Sequence, residues 1–360
     1  MRPGPPTGAL AGGLAVGARV SVRRAGRVLA AEVPAGKVAL EWAADRAVPA
    51  RLTYEAPLDW LPRHPMDPLN RFGQRSAVSV LYRSATGEVW ETPLGEYLHT
   101  DWDASGGTVT VTAMDLTQVL EDDPMAWPSS PPSGATVRSE LQRLAGSLPV
   151  VLDPGVEDSP VAVTSQWGNS RTEAVRKLAD SKGFGLRCGA DGCLHAYPLR
   201  DARTRDVVYE MAALGGGRAG NGLLVAAPVA PGGESRRPNR WVVTGTSSEG
   251  GRDTKWTATR TATAPPFDVD GYGWVTAHRE FSAAGSRDAV EKAADTYMRE
   301  DLSAVRTRSV EIVPDPRLEV GDVVGLVTPD EVLAGRVVAY SLPVSEVGAA
   351  MRVDVTVLEW

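Results

Sequence analysis

Short segments in which apolar and polar residues alternate dominate the first third of the chain. They are separated by turn-forming residues at a spacing of about ten, which is typical of antiparallel strands that bury one face. The pattern predicts a small antiparallel barrel or sandwich over residues 16–125, preceded by a Gly-, Ala- and Pro-rich leader over 1–15 that we expect to be flexible. The alternating segments are 19–22, 28–30, 38–42, 50–54, 77–82, 88–92 and 108–112.

A proline-rich break separates this region from a segment with a different period. Apolar residues over 136–145 recur at helical spacing. Ser170, with Glu173 three residues later, is typical of a capped helix start. The Asp191-Gly192 pair then predicts a hairpin turn. These signals predict a compact α+β insert over residues 126–200.

The rest of the chain returns to strand patterns around one further helix. We expect a β-rich domain over 201–304 with a helix near 286–302, followed by a C-terminal barrel over 305–360. The predicted fold class is therefore a β-rich α+β multidomain chain, in which two small barrels flank inserted α+β domains.

Length and charge narrow the classes of function. A chain of 360 residues favours two to four domains. The net charge is −7, whereas proteins that hold nucleic acid phosphates usually carry a basic surplus. The sequence has no apolar run long enough to span a membrane, and its first residues lack the basic start of a signal peptide. We expect a protein that is made in the cytoplasm and does not insert into membranes.

Residues that usually carry catalysis are scattered. The four histidines, His64, His99, His195 and His278, lie far apart, and no nucleophile elbow or phosphate-binding loop occurs. We therefore predict no enzymatic activity, no cofactor and no metal. The chain is unusually rich in tryptophan, with ten tryptophans and only four phenylalanines. We expect the tryptophans in alternating strands to pack in the core, while those near turns are candidate interface anchors. The turn-associated set is Trp60, Trp102, Trp127 and Trp167.

Only two cysteines occur, Cys188 and Cys193, on either side of the Asp191-Gly192 turn. A hairpin at this point would bring the two thiols face to face across a short loop. They can be free, can pair as a disulfide, or can supply half of a metal site.

The segment 313–324 reads VPDPRLEVGDVV and combines a proline-fixed turn, one apolar anchor and a Gly-Asp turn that begins an apolar strand. It resembles a segment near the C-terminus of siphophage tail-hub and minor tail proteins. The residues that carry the resemblance are Asp315, Pro316, Leu318, Gly321 and Asp322.

Three further pieces agree with that family in order and spacing. Pro93, Leu94 and Gly95 resemble a strand of actinophage-type minor tail proteins, residues 172–194 resemble a helix–hairpin unit, and Asn239 begins a further similar strand. The resemblance extends over about 90–345. The chain is identified on this basis as similar to the tail-tip baseplate hub family, which is related to contractile-phage baseplate hub proteins.

The resemblance implies two tube-type barrels per chain with inserted α+β domains, assembled as a homotrimer that adapts a threefold tip to a sixfold tail tube. The implied role is a structural hub at the virion tail tip that joins the tube to the distal tip and helps to form or close the DNA channel. Implied partners are a distal tail or tail-tube protein, a tape-measure protein, and tip or receptor-binding proteins, with passing DNA not specifically bound. Two alternatives remain open: the hub of a contractile injection or phage-like particle, and a tail-tip module that binds carbohydrate or degrades cell wall.

Overall fold

The computed structural model describes residues 1–199, 207, 209–212, 221–229, 237–249, 252–263, 267–281, 287–302, 305–327, 332–346 and 348–358. The chain divides into two compact units. The first comprises Met1–Val229 and Arg308–Thr356, and the second comprises Ala230–Thr307 and Val357–Trp360.

The first unit begins with a short helix, α1 (Thr7–Ala11), and seven antiparallel strands whose spatial order is β3-β4-β7-β6-β5-β1-β2. Side chains alternate between buried and exposed along these strands, so the predicted period-two pattern is confirmed. The strands are β1 (Ala15–Arg24), β2 (Arg27–Ala30), β3 (Gly36–Ala43), β4 (Ala50–Pro57), β5 (Arg75–Arg83), β6 (Val89–Asp103) and β7 (Thr108–Asp115).

The insert follows as three helices and a three-stranded sheet. Ser170 caps its last helix by accepting a hydrogen bond from the Glu173 amide at 3.1 Å, as predicted. An apolar core that includes Leu141, Leu144 and Leu178 joins the helices to the sheet. The elements are α2 (Gln118–Asp122), α3 (Val137–Ala145), β8 (Val150–Leu152), α4 (Arg171–Lys182), β9 (Phe184–Cys188) and β10 (Leu194–Pro198), and the first unit continues with β11 (Tyr209–Ala212) and β12 (Leu224–Val229).

The second unit is a three-stranded sheet with a long helix packed on it. Its core contains Val243, Ala258, Val290 and Ala294. The elements are β13 (Arg240–Glu249), β14 (Arg252–Thr261), α5 (Val269–Tyr272), β15 (Thr276–Phe281) and α6 (Arg287–Leu302).

The C-terminal strands return to the first unit and extend its sheet. They are β16 (Val305–Ile312), β17 (Val323–Val327), β18 (Val332–Pro343) and β19 (Met351–Leu358). The first part of β18 pairs with β17, and its last part pairs with β3, from Ala339 opposite Ala43 to Pro343 opposite Ala39.

The predicted β-rich α+β class is confirmed, and this pairing joins the two regions that were predicted as barrels. The strands of both β-rich regions belong to one 13-stranded sheet, because β3 pairs with β18. Among the residues that the structure describes, neither region closes into a barrel of its own. The described part also contains no helix long and apolar enough to cross a membrane.

Candidate functional site

We call residues 315–322 the signature segment, because they include Asp315, Pro316, Leu318, Gly321 and Asp322, which carry the family resemblance. This segment folds as a buried turn between β16 and β17. Asp315 accepts hydrogen bonds from the Arg317 amide at 3.0 Å and, through both carboxylate oxygens, from the Arg317 guanidinium at 2.9 and 2.7 Å. Asp322 accepts from the Glu319 amide at 2.9 Å. Leu318 is fully buried below the turn. The two aspartates of the motif therefore satisfy buried donors of the turn.

Two signature glycines face the β9–β10 hairpin of the insert. Gly321 has φ +88°, and a Cβ atom there would overlap the ring of Tyr197 on β10. Gly95 has φ +130°, and a Cβ atom there would lie 3.7 Å from the carbonyl oxygen of Gly189 in the hairpin turn. Both positions have a backbone conformation that L side chains disfavour, but the close approach of a second element is found at Gly321, whereas the distance at Gly95 is an ordinary van der Waals contact. Gly321 therefore allows the insert hairpin to pack directly against the turn.

The structure packs the leader, which the sequence predicts to be flexible, against the same segment. The Arg2 amide donates to the Arg317 carbonyl at 2.8 Å. The Arg2 guanidinium donates to the carbonyl oxygens of Pro316 and Leu318, each at 3.1 Å. Because these bonds cap carbonyls of a buried turn, they give the leader a defined position.

Glu319 links the leader to the insert. Its carboxylate lies 3.8 Å from Arg2 Nε and 3.7 Å from Arg187 Nε on β9. Arg187 also lies 3.4 Å from Asp153 and stacks over the Tyr197 ring at 4.7 Å. Burial alone would raise the pKa of Glu319, but Arg2 and Arg187 lower it, so the net pKa lies below its ordinary value. Glu319 is therefore held in its charged form between two cations.

We call this region the signature junction, defined by the segment 315–322 together with Arg2, Leu94, Gly95, Arg187 and Tyr197. A cavity of about 20 Å³ at its centre is lined by residues of the leader, β6, β9 and the signature turn. The junction thus brings together three of the four pieces on which the family resemblance depends, those at 93–95, 172–194 and 313–324. Pro93 lies beside them on β6, paired with Ser79 of β5.

Asn239 also lies outside the junction, because it belongs to the second unit. Its side-chain amide donates to the carbonyl oxygens of Phe267 and Gly273 at 3.0 and 2.8 Å, and its oxygen accepts from the Val275 amide at 2.8 Å. Asn239 is fully buried, so these bonds hold the start of β13 to the neighbouring connections.

His195 ties the insert hairpin to the end of β8. Its Nδ1 atom lies 2.6 Å from Asp153, and its Nε2 atom lies 3.1 Å from Asp191. Burial lowers the pKa of His195, but hydrogen bonds to the two carboxylates outweigh burial and raise it overall. Within the described ranges, no group of three or more ligand-type side chains is arranged to hold a metal ion.

The two cysteines are free thiols in the structure. The hairpin register places Cys188 opposite Leu194, and the Cys193 carbonyl accepts from the Gly189 amide at 2.9 Å. The expectation that the thiols face each other is therefore not met, because Cys193 falls within the turn. Burial raises the pKa of Cys188 well above its ordinary value, and the charge of Asp115 raises it further. The Cys188 thiol is therefore protonated.

Solved structures resemble this chain over almost its whole length. A tail protein from Neisseria meningitidis MC58 matches with a TM-score of 0.63 at 12% identity, covering 95% of this chain and 97% of that one. The 43 kDa tail protein of prophage MuSo2 from Shewanella oneidensis matches with a TM-score of 0.61 at 12% identity, covering 95% and 98%. Prophage tail protein gp18 from Listeria monocytogenes EGD-e matches with a TM-score of 0.53 at 10% identity, covering 94% of each chain.

The chain has the fold of phage tail proteins. The resemblance that the sequence motifs predict is confirmed at this level. No protein-family model and no curated protein matches the chain in sequence. The signature junction is part of a fold that this chain shares with tail proteins only 10–12% identical to it.

One constellation in this tail-protein fold has the geometry of a nucleophile and its base. Ser76 Oγ lies 2.7 Å from His99 Nε2, and His99 Nδ1 lies 3.0 Å from the Asn70 carbonyl oxygen. Both side chains are buried, however, with Ser76 0% and His99 2% exposed. Burial lowers the pKa of His99 to about 4, so the imidazole is neutral near pH 7. The geometry therefore fits a hydrogen-bonded core network, since no substrate reaches it in this conformation.

The turn-associated tryptophans have different environments. Trp167 is buried and donates from Nε1 to the buried Glu140 carboxylate at 2.6 Å, so the expectation of a surface anchor is wrong for this residue. Trp127 is 80% exposed, so it remains a candidate interface anchor. Trp42 and Trp241, which lie in alternating strands, are buried as predicted. No local pattern distinguishes Trp167 from Trp127, because the difference depends on which insert residues pack behind each ring.

Sequence reasoning missed Arg2, Arg187 and Tyr197. Each is a single residue without a motif around it, and each reaches the junction from a different element. Arg2 bonds a residue 314 positions away along the chain, a contact that has no local signature. The junction contains no exposed nucleophile, and its geometry serves to hold the leader, the sheet and the insert together.

Proposed function

We propose that the chain is a structural protein of a phage-type tail, and that it acts as the hub joining the tail tube to the distal tip. The observation that carries this proposal is the extent of the fold likeness, which covers 95% of this chain and 97% of the Neisseria tail protein. Because the likeness covers almost all of both chains, it supports a common architecture for the whole chain and not just for one domain. Fold alone does not define function, so the motif resemblance over about 90–345 is the second support.

The proposed hub is a homotrimer that contacts a distal tail or tail-tube protein, a tape-measure protein and tip proteins. A protein that connects such partners mechanically needs its own structural elements to be held rigidly together. The signature junction supports this role, because Arg2 and Arg187 fix the leader and the insert to one buried turn. Proposed partners therefore bind to a chain whose insert is held in place.

The proposed hub also helps to form or close the DNA channel. The net charge of −7 supports a wall that does not grip DNA, since like charges repel a passing polyanion. Under this proposal no covalent bond is made or broken, and the protein acts by docking, sealing and gating.

The test is to locate the protein on particles and then remove it. An epitope tag placed at the turn near Gly26 on the β1–β2 hairpin should be labelled by gold-conjugated antibody at one end of the tail only. Particles that lack the gene product should contain tubes that fail to join a tip. Labelling along the whole tail, or normal tips in its absence, would contradict the hub.

A further inference from the structure

Trp127 is the most exposed large apolar side chain among the described residues of the insert. Trp127 is 80% exposed and lies in the connection between α2 and α3. Backbone hydrogen bonds hold this connection on both sides of the ring. The Met125 amide donates to the Asn169 carbonyl at 2.7 Å, and Ser129 exchanges two bonds with Trp167 at 3.1 and 2.9 Å. The indole is therefore displayed on a fixed backbone, which lowers the entropy lost when it binds.

The same unit contains a pocket of about 340 Å³, formed where α4 and the insert hairpin face the β3–β4 turn. Its volume is at the lower end of the range for ligand pockets, roughly 300–1,000 Å³. Such a space fits one aromatic side chain better than a length of peptide. The apolar lining includes Trp42, Leu120, Val175, Ala179, Phe184 and Leu199.

The pocket has one polar atom whose bonding is unmet within the described part of the chain. Thr172 lines the pocket, is 5% exposed, and its Oγ1 atom has no hydrogen-bond partner. Leaving a buried hydroxyl unpaired is unfavourable, so such an atom indicates a missing partner. Arg176, at the pocket edge, is already bonded to the carbonyl oxygens of Arg46 and Ala47.

The displayed ring and the pocket are complementary. A tryptophan offers a flat apolar body and one N–H donor, and the pocket offers an apolar lining and one unpaired oxygen. We propose that Trp127 of one copy inserts into this pocket of a second copy, with the indole Nε1–H donating to Thr172 Oγ1. The proposal rests on the proposed function in that it supplies a contact between copies of the hub.

A contact of this kind is heterologous, because a projection on one copy meets a different surface on the next. Heterologous contacts form closed rings when the rotation between copies closes. Tryptophan is enriched among the few residues that carry most of an interface's binding energy, so one buried ring can act as the anchor of a larger contact. Trp127 would then be the central contact between neighbouring copies.

The test uses two complementary variants of the full chain. Trp127→Ala removes the projecting ring, and Ala47→Trp places a bulky side chain at the exposed rim of the pocket. Each variant alone should remain at the 38.2 kDa of one chain by native mass spectrometry, where the wild type associates. An equimolar mixture should yield a species of two chains, because one intact ring meets one intact pocket. Formation of that species also shows that both variants are folded.

The hydrogen bond is tested by a double-mutant cycle. Thr172→Val removes the unpaired hydroxyl, and Trp127→Phe keeps a ring but removes the donor. Each should weaken association by about tenfold. Because they remove the same bond, Trp127→Phe should have a smaller effect in the Thr172→Val background. Val163→Ala, at another exposed apolar residue of the insert, is the matched control and should change nothing.

The outcomes separate this inference from the proposed hub. If Trp127→Ala associates like the wild type, or if the mixture of the two variants stays monomeric, the insertion is overturned and the hub stands. If the wild type itself remains monomeric at every concentration, the insertion is overturned together with the proposed trimer. Gold labelling of particles still tests the hub in that case.

Discussion

At the scale of single residues, His99 is kept neutral inside the sheet by burial. It accepts from Ser76 and donates to the Asn70 carbonyl, so its two ring nitrogens are satisfied without a proton being added. Protonation would place an uncompensated charge in the core. The pKa of His99 in the folded protein is therefore about 4, against 6.5 for the free side chain.

This difference predicts acid sensitivity. Between about pH 6.5 and 4 the unfolded chain binds a proton that the folded chain does not, so the free energy of unfolding falls as pH falls, by about 1.4 kcal/mol per unit. Urea unfolding at pH 7, 5.5 and 4.5 measures this slope. His99→Gln should flatten the slope over this window, while His64→Gln, at an exposed histidine, should leave it as in the wild type. Equal slopes for all three proteins would contradict the assignment.

Gly321 gives a second prediction at this scale. Gly321→Ala should lower the free energy of unfolding by about 3 kcal/mol, since it adds both a disfavoured backbone conformation and overlap with Tyr197. Gly348→Ala is the matched control, because Gly348 has φ +80° with no atom within 4 Å of the added methyl. It should cost about 1–2 kcal/mol, the backbone part alone. Thermal or urea unfolding distinguishes the two, and equal losses would show that the approach of Tyr197 does not matter.

The sequence could indicate Gly321 and Asp322 but not what they face. A Gly-Asp pair before an apolar strand is a local turn signal, and the structure has a turn there. Tyr197 and Arg187 belong to a hairpin more than a hundred residues earlier in the chain. The sequence around each of them gives no indication that it contacts this turn. Motif residues that set backbone shape were therefore predictable, whereas their partners were not.

At the scale of elements, the β9–β10 hairpin is attached to the signature turn by the partly buried Arg187–Glu319 contact. Arg187→Met should leave Glu319 with less compensation and weaken this attachment, at a cost of about 1–3 kcal/mol. Hydrogen exchange should become faster at the hairpin and at residues 319–322, with α4 less affected. Lys177→Met, which breaks an exposed pair with Glu173, should change neither region. Unchanged exchange in Arg187→Met would show that packing alone holds the hairpin.

Strand identity was predictable from alternation, but strand partners were not. Alternation along β3 and β18 indicates which side chains are buried and says nothing about which edge each strand meets. The last part of β18 pairs with β3 across almost 300 positions. The pairing covers an edge of β3 that a separate barrel would have to cover otherwise. The sequence therefore did not predict that the strands of the two barrel regions share one sheet, because edge pairing depends on the whole chain.

At the scale of the whole molecule, the two units carry different parts of the family resemblance. The first contains the signature junction and the large sheet, and the second contains Asn239 within its own small sheet. The motifs predicted a tail-protein fold, and the solved structure of a tail protein that is only 12% identical shares that fold. Contacts between copies depend on surface residues. Because surface residues follow no periodic pattern in a single sequence, these contacts could not be predicted from it.

We propose that this chain is a hub built from several copies of itself, and its mass in solution tests the proposal. Native mass spectrometry of the purified full chain, over a range of concentrations and with the tail-tube partner added, is the measurement. We expect an assembly of three times the 38.2 kDa chain mass. A chain that stays monomeric at every concentration, with or without the partner, would contradict it.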